Sequence, residues 1–399
     1  MDIYLVGGAV RDRLRGLAPG DLDYVAVGGG EDELLGRVPG LKRVGRGIPV
    51  FVCGNAQYTV SEYPTIEADL ASRDLTVNAL AEGAEGRLYA YPGALADLRD
   101  RILRPVALAN FLADPLRAVR AARFAAVFPE FTVHADLLAA MRAVPADALG
   151  GVAAERVGQE MLKACASEAP GNFLRVLRDG NSLGPWLEEF RGADAIPAGP
   201  PQFHDADVLE HTARVMDSCA GDALTVWMAL CHDLGKTVTP AEVLPHHFGH
   251  EEAGQSLADG LALRLRLPSR VRTAGRLAAR WHMAAGRYGE LKPSTRVRML
   301  LELDKAGVMK GFFTLVTADG GEAVGERAGS ELAVIKAVRL PQKHRDQGPR
   351  SAEILLQLRC EALAEGGFRF RPSGSGGCIG RGQGRPVFFQ GRMGLALRR

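Results

Sequence analysis

The chain has 399 residues, 47% of them hydrophobic and 24% charged, with 49 Lys and Arg against 47 Asp and Glu. This length supports two to four domains with real cores, and a net charge of +2 excludes a uniformly basic protein, so any nucleic-acid surface must be a local patch. Six scattered cysteines (Cys53, Cys165, Cys219, Cys231, Cys360, Cys378) form no CxxC pair, which predicts reduced thiols in a cytoplasmic protein. The start "MDIYLVGG" lacks a basic and apolar leader pattern, and no uninterrupted 18-residue apolar run follows, so secretion and membrane spanning are not expected.

Up to about residue 105, short runs rich in Val, Ile and Tyr alternate with glycine turns: "IYLVGG", "LDYVAVGG", "IPVFVCG", "AQYTVSEY" and "GRLYAYPG" read as strands. "AVRDRLRG" and "EDELLGRV" have helical spacing between them, which predicts a mixed α/β unit. From Pro115 to about Phe190 the pattern is helical, opened by Asp114 and Pro115 as an N-cap and first-turn pair. "RGADAIPAGPPQF" (191–203) reads as a linker, and a second helical block follows from about Asp205 to Lys305. From Gly366 onward seven arginines and no acidic residue stand amid glycines and serines, which predicts disorder. The expected organisation is therefore an α/β head over 1–135, a helical neck and body over 136–200, an all-α domain over 205–312, and a partly disordered remainder over 313–399.

The head carries "GGAVRDRLRGLAPGDLDYV" (7–25). An Asp-x-Asp on a strand puts both carboxylates on one face, so Asp21 and Asp23 could share divalent cations. Paired glycines before a helix let a triphosphate approach the backbone, and Arg11, a turn in, could add a charged contact. Taken singly, these features suit a tight turn and solvated acids; their combination across twelve residues between Gly8 and Asp21 is more specific.

With the motifs that follow in order, "VGRGIPVF" (44–51), "SRDLTVNALA" (72–81), "ADPLRAVRAARFAA" (113–126), "ERVGQEMLKA" (155–164) and "FLRVLRDG" (173–180), the chain resembles the class II branch of the polymerase-beta nucleotidyltransferase superfamily. Within it, the closest likeness is to bacterial multifunctional CCA proteins, over roughly residues 1 to 300. The resemblance implies a polymerase-beta-like α/β head, then an all-α neck and body that bind RNA. It implies transfer of CMP and AMP from CTP and ATP to the 3′ end of tRNA, with Asp21 and Asp23 holding Mg2+. It assigns nucleotide contact to Gly8, Arg11, Arg73, Arg120 and Arg123, and base reading to Asp114 and Arg117. An aspartate accepts from an exocyclic amine and an arginine donates to ring acceptors, a pairing that suits C and A. Without the motifs, the same arginines would suit a solvated amphipathic helix.

Three positions depart from the family. Ala113 replaces the acid before Asp114, and Ala90 replaces the acid of the "YAYPG" segment. The span from Arg46 to Arg73 lacks about twenty residues, including a polar loop that the family associates with switching from C to A. A CC-adding-only enzyme is therefore an alternative. A poly(A) polymerase and a non-catalytic RNA-binding relative are two more.

The second helical block holds "LEHTARVM" with His211, "ALCHDLGK" with His232, Asp233 and Lys236, "LPHHFGHEEAG" with His246, His247 and His250, and "ARWHM" with His282. Histidines and an aspartate from separate helices can converge on a metal. The block resembles the HD phosphohydrolase superfamily, an all-α fold in which a divalent ion activates water against phosphate esters. That resemblance implies His211, His232 and Asp233 as ligands of nickel or magnesium, with His232 and Asp233 catalytic. It also implies phosphatase, 2′-nucleotidase and 2′,3′-cyclic phosphodiesterase activities. For the distal acid, Asp319 is one candidate, while another alignment puts Leu363 there.

Overall fold

The computed structural model describes residues 1–44, 49–202 and 204–365. The "GRGI" part of the second motif and the arginine-rich segment from Gly366 lie outside the described residues.

Seven strands form one sheet: β1 (Asp2–Val6), β2 (Leu22–Val27), β3 (Lys42–Val44), β4 (Val50–Cys53), β5 (Ala56–Val60), β6 (Leu80–Glu82) and β7 (Leu88–Ala90). Their spatial order is β3-β4-β5-β2-β1-β6-β7, with β2 and β5 parallel and all other neighbours antiparallel. Both faces of the second half of β2 are covered, Val25 and Val27 packing in one apolar cluster and Ala26 in another, so all three are buried and the alternation ends there. Asp21, just before the strand, and Asp23 in its first half are exposed. Helices α1 (Gly8–Leu14), α2 (Glu31–Arg37), α3 (Ile66–Ala71) and α4 (Ala94–Arg99) accompany the sheet.

Helices α5 (Leu108–Ala113), α6 (Leu116–Val127), α7 (Ala135–Arg142), α8 (Ala146–Gly150), α9 (Ala154–Cys165) and α10 (Gly171–Asp179) follow. Asp114 is extended and Pro115 already helical, and Asp114 Oδ1 accepts from the Leu116 amide at 3.3 Å, so the pair opens α6. The histidine block comprises α11 (Val208–Ser218), α12 (Ala223–Cys231), α13 (His250–Arg264), α14 (Ser269–Gly286), α15 (Pro293–Ala306) and α16 (Met309–Ala318). Two more helices, α17 (Gly325–Ala337) and α18 (Pro349–Glu365), continue past it. Helix α16 thus runs across the boundary expected at residue 312, and the remainder is largely helical as far as Glu365.

One continuous apolar cluster runs from Leu75 in the head through α6, α10, α12 and α14 to Ile335. The stretch expected to be a linker is part of this packing. Ala198 is fully buried, its amide donates to Ala206 O at 3.0 Å, and Val208 N donates to Ile196 O at 2.8 Å. Its carbonyls are also taken, Ala198 O by Lys236 Nζ at 2.8 Å and Pro197 O by His247 Nε2 at 2.8 Å. Proline and glycine enrichment removes donors and helical propensity, but it leaves carbonyls that nearby side chains can satisfy. No described helix is long and apolar enough to cross a membrane. Among the described residues all five cysteines are free.

Candidate active sites

In the head, Gly7 has φ +64, a conformation glycine adopts without a Cβ penalty, and it turns β1 into α1. Gly8 lies directly over Arg11, whose Nη2 is 3.4 Å from where a Gly8 side chain would begin. Arg11 itself is buried and committed: Nη1 donates to Asn78 Oδ1 at 2.6 Å, Nε donates to Asp12 Oδ1 at 2.9 Å, and the guanidinium stacks 4.5 Å over the Phe128 ring.

Asp23 gathers the site electrostatically. Partial desolvation of its carboxyl by the surrounding protein, then the neighbouring Asp21 carboxylate, raises its pKa, while Arg73, Arg120 and Lys163 pull it back. A carboxylate pair strained in this way fits a divalent cation, which both oxygens would share. Arg73 donates twice to Asp69 Oδ2, at 2.6 and 3.0 Å, with Nη1 turned toward Gly7.

The arginines of α6 are held by acids from elsewhere. Arg120 clamps Asp74 Oδ2 through Nη2 at 2.7 Å and Nε at 2.9 Å. Asp74 Oδ1 in turn accepts from the Leu75 amide at 2.8 Å and from Asn78 Nδ2 at 3.1 Å. Burial alone would raise the Asp74 pKa, but Arg120 and these donors hold it down to about 2. Since Asn78 also holds Arg11, one buried network joins Arg11 to Arg120. Arg123 is bonded to the buried Glu160 of α9 and stacks 4.0 Å over Phe124.

Asp114 and Arg117 stand a turn apart at the start of α6. Asp114 Oδ2 accepts from Arg156 at 3.0 Å, whereas Arg117 Nη1 is buried with no hydrogen-bond partner among the described residues. Sequence reasoning missed Asp74, Asn78, Arg156, Glu160 and Lys163. All five fall within motifs already quoted, but only the fold brings them to α6.

The second site lies in the histidine block. His211 projects from α11, His232 and Asp233 follow the apolar helix α12, and Asp319 ends α16. His211 Nε2 is 3.2 Å from Asp233 Oδ2 and 3.1 Å from Asp319 Oδ1. His232 Nε2 is 3.2 Å from Asp233 Oδ2 and 3.6 Å from Asp319 Oδ1. His232 Nδ1 meets Ala229 O at 2.7 Å and must donate there, so Nε2 turns to the carboxylates. Burial works against a charged His232, but Asp233 and Asp319 outweigh it and push its pKa up to about 10; the same acids raise that of His211. Asp233 is held well below the usual carboxylate range. The four ligand atoms of His211, His232, Asp233 and Asp319 lie within 4.8 Å of one another, a donor set suited to a transition metal. Leu363, the other distal candidate, packs from α18 against the apolar core. A cavity of about 240 Å³ lined by His204, Arg214, Ser218 and Asp319 opens onto the cluster.

No protein-family model matches the chain. The multifunctional CCA protein of Chromobacterium violaceum is 36% identical over 390 residues, spanning 92% of this chain and 93% of that protein. The protein of the same name from Azoarcus sp. is 39% identical over 330 residues, spanning 76% and 79%. Among solved structures, the Bacillus stearothermophilus CCA-adding enzyme in complex with CTP matches with a TM-score of 0.62 at 22% identity, over 91% of this chain and 89% of that one. The Thermotoga maritima CCA-adding enzyme complexed with tRNA matches at 0.59 and 17%, over 91% and 90%. These structures share the fold.

Proposed function

Because this chain belongs to the multifunctional CCA protein family, we propose that its head adds C, C and A to the 3′ end of tRNA from CTP and ATP. The tRNA 3′-hydroxyl attacks the α-phosphorus, and pyrophosphate leaves. Asp21 and Asp23 hold Mg2+, which when bound supplies charge neutralisation at the triphosphate. Gly8 gives the triphosphate access to the backbone, and Arg73, Arg120 and Arg123 bind its oxygens. Arg11, locked beneath Gly8, contributes a fixed positive field. Asp114 accepts from the amine of C or A, and Arg117 donates to the adjacent acceptor. The observation that carries this reading is the 36% identity to a multifunctional CCA protein over 92% of this chain, and the buried network joining Arg11, Asn78, Asp74 and Arg120 beneath Gly8 supports it.

In the histidine block, His211, His232 and Asp233, completed by Asp319, hold a divalent ion, nickel or magnesium. The ion supplies Lewis acidity for hydrolysing 2′,3′-cyclic phosphates, 2′-nucleotides and simple phosphate esters. The adjoining cavity admits the phosphate beside Arg214. We infer a cytoplasmic location, a reading supported by the free cysteines among the described residues and by the tRNA substrate.

One assay tests the head. tRNAs ending before CCA, after C and after CC are incubated with labelled CTP or ATP and magnesium. CMP then AMP incorporation supports the proposal, long ATP tracts indicate a poly(A) polymerase, and no incorporation refutes it. Asp21→Ala abolishes incorporation. His232→Ala spares it and removes phosphohydrolase activity. A stop after CC is the second reading, favoured by the short, tied connection between β5 and α3.

A further inference from the structure

We propose that the groove between α16 and α17 is a nucleoside subsite of the histidine block, holding the base and ribose of an ester whose phosphate lies beside Arg214. The proposal rests on reading the block as a phosphohydrolase, and it assigns residues outside the set of His211, His232, Asp233 and Asp319.

Size separates the two halves of such a substrate. The cavity that opens onto the cluster holds about 240 Å³, and His204, Arg214 and Asp319 are among its lining residues. Sites that enclose a whole organic ligand run to about 300–1,000 Å³. The smaller cavity therefore suits a phosphate and leaves the nucleoside to lie elsewhere. A second cavity, of about 1110 Å³, runs between α16 and α17, and the two share Ser218 and Ala318 on their walls. They thus meet at a pair of small side chains.

Helix geometry aims the groove at the cluster. On α16, Met309, Phe313 and Thr317 recur four residues apart and so share one face, and Asp319 stands at the end of that helix. On α11, His211, Arg214 and Ser218 share a face in the same way, leading from the cluster past the phosphate cavity to the groove. At about 1.5 Å per residue, Phe313 stands about 9 Å along the helix from Asp319. That distance is comparable to the span from the 2′-phosphate of a nucleotide to the far edge of its base.

The lining has the chemistry of a small-molecule site, mostly apolar with a few placed polar groups. Phe313 and Val324 are buried in its wall. The Phe313 ring is held edge-on by Tyr288 and Phe312, with centroids 5.9 and 5.4 Å away, so the wall is fixed before a ligand arrives. Ser218, Thr314 and Thr317 each donate to the carbonyl oxygen four residues back, at 2.9, 3.1 and 3.0 Å. Their protons are thereby committed, and the three oxygens remain as acceptors for the hydroxyl and amine hydrogens that a nucleoside carries. Arg327, fixed by an Nε bond to Glu331 Oε1 at 3.0 Å, supplies donors on the α17 side.

The test fills the groove without touching the cluster. Gly329 lines the groove from α17, and a Cβ there meets no atom within 4 Å, so Gly329→Trp puts an indole in the cavity without a backbone clash. With Ni2+ present, kcat/KM is measured for adenosine 2′-phosphate and for glycerol 2-phosphate, a monoester of the same kind with no base. Gly329→Trp is expected to lower the ratio of the two values about tenfold or more, mainly by raising KM for the nucleotide. An unchanged ratio overturns the subsite and leaves the hydrolase standing. Hydrolysis of neither ester by the unmodified chain overturns the hydrolase and the subsite with it. A second measurement needs neither metal nor substitution. The full chain is irradiated with azido-adenosine, and the cross-linked peptides are identified by mass spectrometry. Adducts within residues 309–329 are expected, and their absence from that stretch overturns the proposal.

Discussion

Asp74→Asn separates the chemistry of the head from its packing, because it keeps shape and removes charge. Asp74 is buried and accepts four hydrogen bonds, two from Arg120 on Oδ2 and one each from the Leu75 amide and Asn78 on Oδ1. An asparagine offers one acceptor oxygen, so either Arg120 or the Leu75–Asn78 side meets an NH2 group instead. The carboxyl pKa falls from its ordinary 3.8 to about 2 in the folded state. Such a shift corresponds to about 2.5 kcal/mol in favour of the charged form at neutral pH. Its sign is that of a depressed acid: the stabilisation is complete above the unfolded value near 4 and disappears as pH falls toward 2. At about 2 °C per kcal/mol for a chain of this size, Asp74→Asn lowers Tm by about 5 °C at pH 7. The gap narrows progressively below pH 4. In the CTP incorporation assay KM rises more than kcat falls, because Arg120 loses its orientation for binding. Equal Tm values at pH 7, or a gap that stays constant below pH 4, would refute the reasoning.

Two further perturbations follow from the same packing. Glu160→Gln breaks a buried pair with Arg123, and since burial already lowers the Arg123 pKa, the uncompensated guanidinium costs about 3 kcal/mol, read by thermal melting. Gly235→Ala puts a Cβ 1.9 Å from the His250 carbonyl oxygen, so α13 must shift. We expect about 1–3 kcal/mol of lost stability with weakened Ni2+ binding, measured by melting and by dialysis.

The chemistry of the head was legible because it is local in sequence. Asp21 and Asp23 stand two apart at the start of β2, Gly7 and Gly8 open α1 just before it, and Arg117, Arg120 and Arg123 recur on one turn-spaced face of α6. What holds those groups was not legible, because Arg120 and Asp74 are 46 residues apart and Arg123 and Glu160 are 37 apart. Periodicity marks the buried face of a helix without saying which acid waits on the other side. The histidine block behaves likewise: "HD" is adjacent in sequence, but Asp319 joins it only through the packing of α16 on α12. The misread linker has a different cause. Composition reports the propensity for regular structure, and residues 191–203 lack it, yet Ala198 is as buried as any core residue.

The connection between β5 and α3 bears on the second reading, a stop after CC. β5 ends at Val60 and α3 begins at Ile66, and residues 61–65 between them are tied rather than loose. The Ser61 amide donates to Ala26 O at 2.8 Å, and Ser61 Oγ donates to Asp69 Oδ1 at 2.9 Å. The Tyr63 amide donates to Ser61 Oγ at 3.1 Å, and Thr65 Oγ1 caps α3 by accepting from Ala68 N at 3.3 Å. Asp69 also holds Arg73, so the connection is fastened to a phosphate-binding candidate and cannot move without it. A segment that re-poises the base pocket between C and A needs few contacts and low local stability. In single-turnover reactions, CMP addition to tRNA ending in C therefore goes to completion. AMP addition to tRNA ending in CC is slower by about tenfold or more, a barrier difference of about 1.4 kcal/mol. Inserting about twenty polar residues after Val60 costs little in closure entropy, about 0.6 kcal/mol per doubling of loop length. That insertion raises the AMP rate while leaving CMP addition in place. Equal rates for the two nucleotides in the unmodified chain would show that base switching here resides in Asp114 and Arg117 alone.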